Sequence, residues 1–381
     1  KIELANLFET AKSIKSYNWF IQNENGIDLI PVNDFSFYDH VLDMSLMLGN
    51  IPKRFKDLCC NQASLESFYD LYFAMARGYQ DGNIDIKPLE MTKWFDTNYH
   101  YLVPEVEEST EFFFYYKKIL EEFVEAKNLG YNAKPVIIGP VTYLYLAKAK
   151  EKSFDKFVLI DKLLPVYKEI FVALKSHGAE FIQIDEPIMV LNLDEKIKKL
   201  LVNTYKELRK ETNLIIILAT YFDNINSNID ILKDLEFDVL HIDLTKNNQD
   251  LDGIIENLNN RILSIGIVNG RNIWKNNLRE SFLLTKKIID KIGYERVWLG
   301  TSCSLLHVPY DLDQESDNKK ISDRLKDIMA FAKQKLIELS NLKELSKKYM
   351  SGENVDMTRD YSLNIEKNQD LRKKVEILAN N

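Results

Sequence analysis

Seven short apolar runs, separated by stretches with helical periodicity, constrain the fold of this 381-residue chain more than any other feature. Strands that are apolar on both faces and alternate with helices are typical of a parallel sheet covered by helices. The runs lie at residues 27–32 (IDLIPV), 136–139 (VIIG), 181–185 (FIQID), 214–219 (LIIILA), 239–243 (VLHID), 262–267 (ILSIGI) and 297–301 (VWLGT). Helical spacing of apolar residues is found between them, for example at residues 112–129, 154–174 and 278–292.

An eighth strand is predicted at residues 92–95, within the aromatic segment MTKWFDTNYHYLVP. Eight strand–helix units would close a (β/α)8 TIM barrel, which commonly carries insertions. Residues 41–80 then form a helical insertion between the first two strands. The alternative is an open doubly wound sheet, but no GxGxxG motif follows any of the runs, which disfavours a dinucleotide-binding fold.

Charge and composition exclude several classes of protein. The net charge of −8 disfavours nucleic acid as a partner, because phosphate contacts need a basic surface. No apolar run is long enough to predict a membrane span, and no secretory signal is visible. Three cysteines, with Cys59 and Cys60 adjacent, do not form a disulfide framework, so we expect a cytoplasmic protein.

The ends of the chain suggest a piece of a longer protein. The sequence opens on Lys1, already inside an amphipathic pattern, and becomes polar and charged after about Leu342. We therefore predict a barrel over residues 1–345, and we interpret residues 346–381 as the start of a linker.

Polar residues collect where the predicted strands end, which is where the active sites of barrels lie. They are Asp34, Asp96 with Asn98, Thr142, Asp185 with Glu186, Thr220 with Tyr221, His241 with Asp243, Asn269 with Arg271, and Ser302 with Cys303 and His307. For any one residue the simpler interpretation is that loops are polar. The whole set favours a site that binds, or once bound, a substrate.

Two kinds of chemistry at these strand ends, a zinc site and a cysteine nucleophile, have little support in the sequence. His241, Asp243, Cys303 and His307 are residue types that bind zinc, but their spacing matches no compact zinc motif. A nucleophilic Cys303 would need a base, and only the proximity of His307 in sequence supports that pairing. From the residues alone, both therefore remain open as the less favoured alternatives.

Lys93 stands between Thr92 and Trp94 in a segment dense in aromatic residues. One interpretation is a solvated charge whose stem crosses apolar surface. The other is an anion contact beside aromatic faces, which would suit a ligand that has a flat ring and carboxylates.

Seven motifs together resemble the N-terminal domain of the cobalamin-independent methionine synthase family. In chain order they are GIDLIPVNDFSFYDHVLD (26–43), LEMTKWFDTNYHYLVPE (89–105), KPVIIGPVTYLYLAK (134–148), QIDEP (183–187), ATYF (219–222), NGRNIW (269–274) and SCSLLHVPYDL (302–312). The resemblance spans essentially the whole chain.

The resemblance implies two similar (β/α)8 barrels in the complete enzyme, which transfers a methyl group from 5-methyltetrahydropteroyl-triglutamate to homocysteine. It also implies a zinc ion that activates the homocysteine thiol, with its ligands in a C-terminal barrel that this sequence does not contain. We thus expect no cofactor, no metal and no catalytic residue in this chain. We also expect a C-terminal barrel of the same polypeptide as partner, and a monomer that binds neither nucleic acid nor membrane.

The resemblance also implies roles for individual residues. Lys93 corresponds to the lysine that contacts the folate triglutamate, and Asn98 is a weaker candidate by proximity. The strand end that carries zinc ligands in the other barrel reads Ala219-Thr220-Tyr221-Phe222 here. The residues Asp185, Glu186, Asp243 and Cys303 are therefore expected to be the remains of an ancestral site.

Two hypotheses remain open at this point. The chain is either the folate-side half of a methyltransferase, inactive alone, or a stand-alone binding or scaffold barrel of the same ancestry.

Overall fold

The computed structural model describes residues 4–61, 65–82, 84–246, 248–315, 321–353 and 355. It contains two compact units. The first comprises Lys1–Ile242 with Asn248–Leu263, and the second comprises Asp243–Asn247 with Ser264–Asn381. No described helix is both long and apolar enough to cross a membrane.

The α-helices are α1 (Leu4–Glu24), α2 (His40–Met47), α3 (Leu65–Arg77), α4 (Lys118–Asn128), α5 (Pro140–Leu146), α6 (Ile160–Ser176), α7 (Glu195–Lys210), α8 (Leu251–Leu258), α9 (Leu278–Ile292), α10 (Asp323–Lys326) and α11 (Ala332–Met350). The strands are β1 (Ile30–Val32), β2 (Tyr79–Asp81), β3 (Ile84–Ile86), β4 (Met91–Lys93), β5 (His100–Leu102), β6 (Glu105–Val106), β7 (Ala133–Ile138), β8 (Lys148–Ala149), β9 (Phe181–Asp185), β10 (Ile215–Ala219), β11 (Val239–Asp243), β12 (Ile262–Val268) and β13 (Val297–Thr301).

The first unit is built on a parallel sheet. Its strands follow the order β1-β7-β9-β10-β11. The paired positions fix the register, with Ile30 opposite Ala133 and Ile182 opposite Ile216. All seven predicted apolar runs overlap a strand, and three of them match the observed bounds (β9, β11 and β13). The mixed α/β fold with a parallel sheet is therefore confirmed.

The two faces of β9 differ in chemistry. Ile182 and Ile184 point to one face and are fully buried, whereas Gln183 and Asp185 are only partly covered on the other. Because side chains alternate along a strand, this pattern lines one face of the sheet with polar groups. The alternation therefore places Gln183 and Asp185 side by side on that polar face.

The prediction of an eighth parallel strand at residues 92–95 is wrong for the described sheet. The strand there is β4, and it pairs antiparallel with β5, with Lys93 opposite His100. In the parallel sheet β1 pairs directly with β7. The physical reason is a local turn at Asp96-Thr97-Asn98, which returns the chain on itself before a longer strand can form.

Helices with one apolar face accompany the sheet of the first unit. In α7, Asp194 caps the first turn by accepting a hydrogen bond from the Ile197 amide at 2.9 Å. Its buried side chains, at Ile197, Leu201, Tyr205 and Leu208, repeat at the spacing of one helix face.

Residues 41–80, predicted as a helical insertion, contain most of α2, the 3-10 helix Lys53–Asn61 and α3, and they end in β2. The vicinal cysteines lie in the 3-10 helix, and the side chains of Cys59 and Cys60 fall outside the described residues.

The second unit contains β12, β13, α9 and α11. Helix α9 has the predicted bounds and is capped by Asn277, whose side chain accepts from the Glu280 amide. Helix α11 packs beside α9, and Tyr349 donates a hydrogen bond of 2.5 Å to Asp290. The predicted boundary after residue 345 falls inside α11, and the proposed linker beyond residue 355 lies outside the described residues.

Candidate functional site

The β4–β5 hairpin carries Lys93 at its end and closes through a tight turn. The Trp94 amide donates to the Tyr99 carbonyl at 2.8 Å, and the Thr97 hydroxyl donates to the Trp94 carbonyl at 2.6 Å. Phe95 adopts a φ of 46° inside this turn. The local sequence therefore presents Lys93 and the Phe95 ring from one short segment.

A buried carboxylate anchors the hairpin to the start of α2. Asp39 accepts hydrogen bonds from the Tyr99 hydroxyl at 2.6 Å, the Leu42 amide at 2.9 Å and the Leu102 amide at 3.0 Å. His40 packs edge-on against Trp94, and burial lowers the pKa of its imidazole. These contacts hold the hairpin in a fixed position on the first unit.

A cleft of about 380 Å³ opens beside the hairpin. Its lining combines aromatic rings, aliphatic side chains and three charged groups, and it consists of Lys93, Phe95, Asp96, Tyr101, Tyr145, Leu146, Val190, Leu191, Phe222 and Asp223. Mostly apolar walls with a few polar groups are typical of small-molecule sites. The segments come from β4, the hairpin turn, α5 and the chain after β9 and β10.

The cationic groups near the cleft differ in what they contact. Lys156 donates to the carbonyls of Tyr145 and Ala147, so its ammonium group is already engaged. The Lys93 side chain is exposed, and its ammonium group makes no hydrogen bond or ion pair with any residue that the structure describes. Lys93 is therefore a cation at the cleft that can pair with a ligand.

Four polar side chains near the end of β9 are joined to one another by hydrogen bonds. Lys134 donates to the Gln183 side chain at 2.5 Å, and Gln183 in turn donates to Asp185 at 2.8 Å. Tyr221 donates to the other Asp185 oxygen at 2.9 Å. Burial raises the pKa of Asp185 to about 6 and lowers the pKa of Lys134 to about 8, while burial also raises the pKa of Asp34 to about 6.

Glu186 is fully buried and faces the start of α5. It accepts hydrogen bonds from the Thr142 amide at 2.8 Å, the Thr142 hydroxyl at 2.5 Å, the Val141 amide at 3.3 Å and the Tyr205 hydroxyl at 3.4 Å. Burial raises the pKa of Glu186 to about 7, and these hydrogen bonds oppose the rise. These hydrogen bonds engage both oxygens of the Glu186 carboxyl group.

Asp243 and Cys303 are the other two residues expected to be remains of an ancestral site, and they belong to the second unit. Asp243 is buried and accepts from the Thr245 amide at 2.9 Å and the Thr245 hydroxyl at 2.6 Å. Cys303 is also buried, and its thiol donates to the Ser304 carbonyl at 3.6 Å. Each is held by local hydrogen bonds within that unit.

The described residues contain no group of three or more His, Cys, Asp or Glu side chains that could hold a metal ion. At the end of β10, Thr220 donates to the His241 carbonyl and Tyr221 donates to Asp185. This donor set offers hydroxyl groups where a zinc site would need imidazole or thiolate groups. The described part of the chain does not fit a zinc ion.

Comparison with known proteins identifies the lineage. The sequence model described as "Cobalamin-independent synthase, N-terminal domain" matches residues 1–293. A protein of Flavobacterium johnsoniae is 45% identical over 386 residues, covering 100% of this chain and 49% of its own length. A protein of Cytophaga hutchinsonii is 46% identical over 365 residues, covering 94% of this chain and 47% of its own length. Both are named 5-methyltetrahydropteroyltriglutamate–homocysteine methyltransferase.

The chain belongs to the cobalamin-independent methionine synthase family. The resemblance found in the seven motifs is thereby confirmed. The chain spans about half the length of the curated relatives that it matches.

Solved structures of this family share the fold. A B12-independent methionine synthase from Shewanella sp. W3-18-1, in complex with selenomethionine, superposes with a TM-score of 0.65 over 92% of each chain at 11% sequence identity. One from Listeria monocytogenes gives a TM-score of 0.59 at 12% identity. At such identities the likeness shows the fold alone.

The structure brings only part of the predicted site together. Lys93 and Asp96 line the cleft, whereas Asn98 is exposed in the hairpin turn and does not line it. Phe222 and Tyr145 line the cleft and were not predicted. Each lies inside one of the motifs typical of the methionine synthase family, ATYF and KPVIIGPVTYLYLAK, which is the signal that could have indicated them.

Proposed function

We propose that this chain is the folate-side half of a methyltransferase that transfers a methyl group from 5-methyltetrahydropteroyl-triglutamate to homocysteine. Family membership and the names of the relatives support this proposal. The observation that carries the folate assignment is Lys93, an exposed ammonium group at an aromatic cleft. A lysine ammonium is a point charge suited to carboxylates, and a triglutamate tail supplies several of them.

The buried carboxyl groups support the proposal that this chain binds the folate, while another part of the full-length enzyme binds homocysteine. Asp185 and Glu186 are occupied by hydrogen bonds from Gln183, Tyr221, Thr142 and Tyr205. In this proposal they stabilise the fold, together with Asp243 and Cys303, and do not bind homocysteine. Homocysteine and the zinc ion that activates its thiol are assigned to the C-terminal part of the relatives, which this chain does not cover.

We further propose the finer features of the assignment. They are a closed (β/α)8 barrel over residues 1–345 whose eighth strand lies elsewhere than residues 92–95, a helical insertion at residues 41–80, a linker from residue 346, a cytoplasmic location and a monomeric state. Seven apolar runs, three cysteines and an acidic net charge support these proposals. Asn98 is a weaker candidate for a folate contact.

Calorimetric titration of the chain with 5-methyltetrahydropteroyl-triglutamate tests the proposed function. Replacing Lys93→Ala is expected to weaken binding about twofold to fivefold, because an exposed charge pair contributes at most about 1 kcal/mol. The loss should be smaller for the monoglutamate and should shrink at high salt, since exposed charge pairs are screened.

Lys199→Ala is the matched control, because Lys199 is exposed on α7 and does not line the cleft. An affinity unchanged by Lys93→Ala would contradict the assignment and favour a stand-alone scaffold. Equal losses for the two lysine variants would show an unspecific effect of charge.

A further inference from the structure

We propose that the cleft beside Lys93 recognises an aromatic ring joined to glutamate, and that Phe95, Tyr145 and Phe222 form the surface that holds this ring. The inference rests on the proposed function and makes its ligand more specific. In a pteroyl-glutamate, the group of this kind is the aminobenzoyl ring that precedes the first glutamate. The triglutamate tail alone would then be a poorer ligand than the tail with its ring.

The geometry of the three rings gives them one continuous apolar surface. Phe95 and Tyr145 lie nearly parallel, with centroids 6.5 Å apart and an interplanar angle of 22°. Phe95 and Phe222 are 6.1 Å apart at 44°. Neither separation leaves room for a third ring between the pair, since stacked rings lie about 3.5 Å apart by van der Waals contact. A ligand ring would therefore lie against this surface at the open side of the cleft.

The three rings differ in how much of each is exposed to water. Phe222 is 2% exposed, whereas Tyr145 is 42% exposed and Phe95 is partly exposed. An aromatic side chain left open to water beside a cleft gains free energy when a flat apolar group covers it. Tyr145 and Phe95 offer that surface, and Phe222 is the buried ring that packs beside Phe95.

The backbone at the two phenylalanines is a second observation. Among the described residues, the non-glycine positions with positive φ are Asn33, Phe95, Phe222 and Asn259. Asparagine tolerates this conformation, whereas a bulky phenylalanine is strained in it. Both strained phenylalanines line the same cleft. Strain of this kind clusters at binding sites, where the surrounding structure holds a side chain in a required direction.

The charges in the cleft restrict what accompanies the ring. The lining residues of the cleft include two aspartates, Asp96 and Asp223, and one lysine, Lys93, which gives these three side chains a formal net charge of −1. This balance admits one carboxylate, at Lys93, and repels further ones inside the cleft. A ring followed by a chain of carboxylates fits if one carboxylate beyond the first glutamate, which a monoglutamate lacks, pairs with Lys93 and the others extend into solvent.

Calorimetric titration of the full 381-residue chain with two probes tests the inference. The probes are aminobenzoyl-triglutamate and triglutamate without the ring, compared at the same salt concentration and pH. The chain is expected to bind the aromatic probe about threefold to tenfold more tightly, which is the range for one aromatic contact. Phe95→Leu and Tyr145→Leu should each remove most of this difference.

Phe20→Leu is the matched control, since Phe20 is a half-exposed ring on α1 that does not line the cleft. Thermal melting of each variant shows whether it folds, and Tyr145→Leu keeps the test valid if Phe95→Leu does not fold. Asp223→Asn should strengthen binding of both probes, because it removes a like charge and keeps the oxygen that accepts from the Asn224 amide.

The outcomes separate the two proposals. Equal affinity for the two probes, with Lys93→Ala still weakening both, would overturn the aromatic surface and leave the folate assignment standing. If Lys93→Ala leaves the affinity for both probes unchanged, the proposed function is overturned. A ring preference that persists in both the Phe95→Leu and the Tyr145→Leu proteins would place the ring elsewhere and overturn the inference.

Discussion

Glu186 is a residue whose protonation should be visible in the stability of the protein. Burial raises its pKa from 4.5 to about 7, so the folded state keeps a proton that the unfolded state loses above pH 4.5. The folded state therefore binds more protons between these values, and the free energy of unfolding falls as the pH rises from about 4.5 to 7. The expected effect is on the order of 1 kcal/mol for each unit of pKa shift.

Replacing Glu186→Gln removes this titration and keeps one oxygen that can accept from Thr142. We predict that the wild-type protein loses free energy of unfolding relative to the variant as the pH rises from 5 to 8. Urea denaturation of both proteins at several pH values measures this difference, in which the contributions of other titrating groups cancel. If the free energy of unfolding of the wild-type protein stays constant or rises with pH relative to that of the variant, Glu186 is ionised throughout this range.

At the scale of elements, the end of β7 and the start of α5 depend on a close approach between Gly139 and Glu186. A Cβ atom at Gly139 would lie 2.1 Å from the Glu186 carboxyl carbon. The backbone of Gly139 is extended, with φ −66° and ψ 149°, so the requirement for glycine is steric and does not come from an unusual conformation. The β7–α5 junction thus forms only around a residue without a side chain.

Gly139→Ala is expected to destabilise the protein by about 2 to 4 kcal/mol, because the added methyl group displaces a buried carboxyl group from its donors. In a Glu186→Ala background the same substitution should cost less, since the colliding atoms are gone. Urea denaturation of the four proteins in this double-mutant cycle gives the coupling energy. Additive effects would show that Gly139 is required for another reason.

The elements also show what the sequence could predict. The strands β9, β11 and β13 match their predicted bounds because each is a short, mostly apolar run that ends in a polar residue. The β4–β5 hairpin was missed because its pairing depends on a turn, in which the Thr97 hydroxyl and the Trp94 carbonyl meet. Its signal was the Asp96-Thr97-Asn98 cluster between two aromatic segments.

The candidate site was predictable to a smaller extent than the strands. Lys93 was indicated by its aromatic neighbours, and it does line the cleft. Tyr145, Val190 and Phe222 come from distant parts of the chain, and no local pattern in the sequence states that they meet. Proximity in sequence alone indicates Asn98, which is exposed in the turn and does not line the cleft.

At the scale of the whole molecule, a chain that covers about half of its relatives is expected to carry part of their chemistry. The described residues offer a cleft with a cation for an anionic ligand and no group that could hold a metal ion. The central claim of the proposed function is that this chain binds the methyl donor, and that transfer of the methyl group also needs the part of the relatives that the chain does not cover.

The fate of a radiolabelled methyl group tests that claim most directly. The chain is equilibrated by dialysis with methyl-labelled 5-methyltetrahydropteroyl-triglutamate, homocysteine and zinc, and the label is counted in the protein compartment and in methionine. The account predicts label retained with the protein, less of it with Lys93→Ala, and no labelled methionine. Repeated turnover to labelled methionine by the chain alone would contradict it.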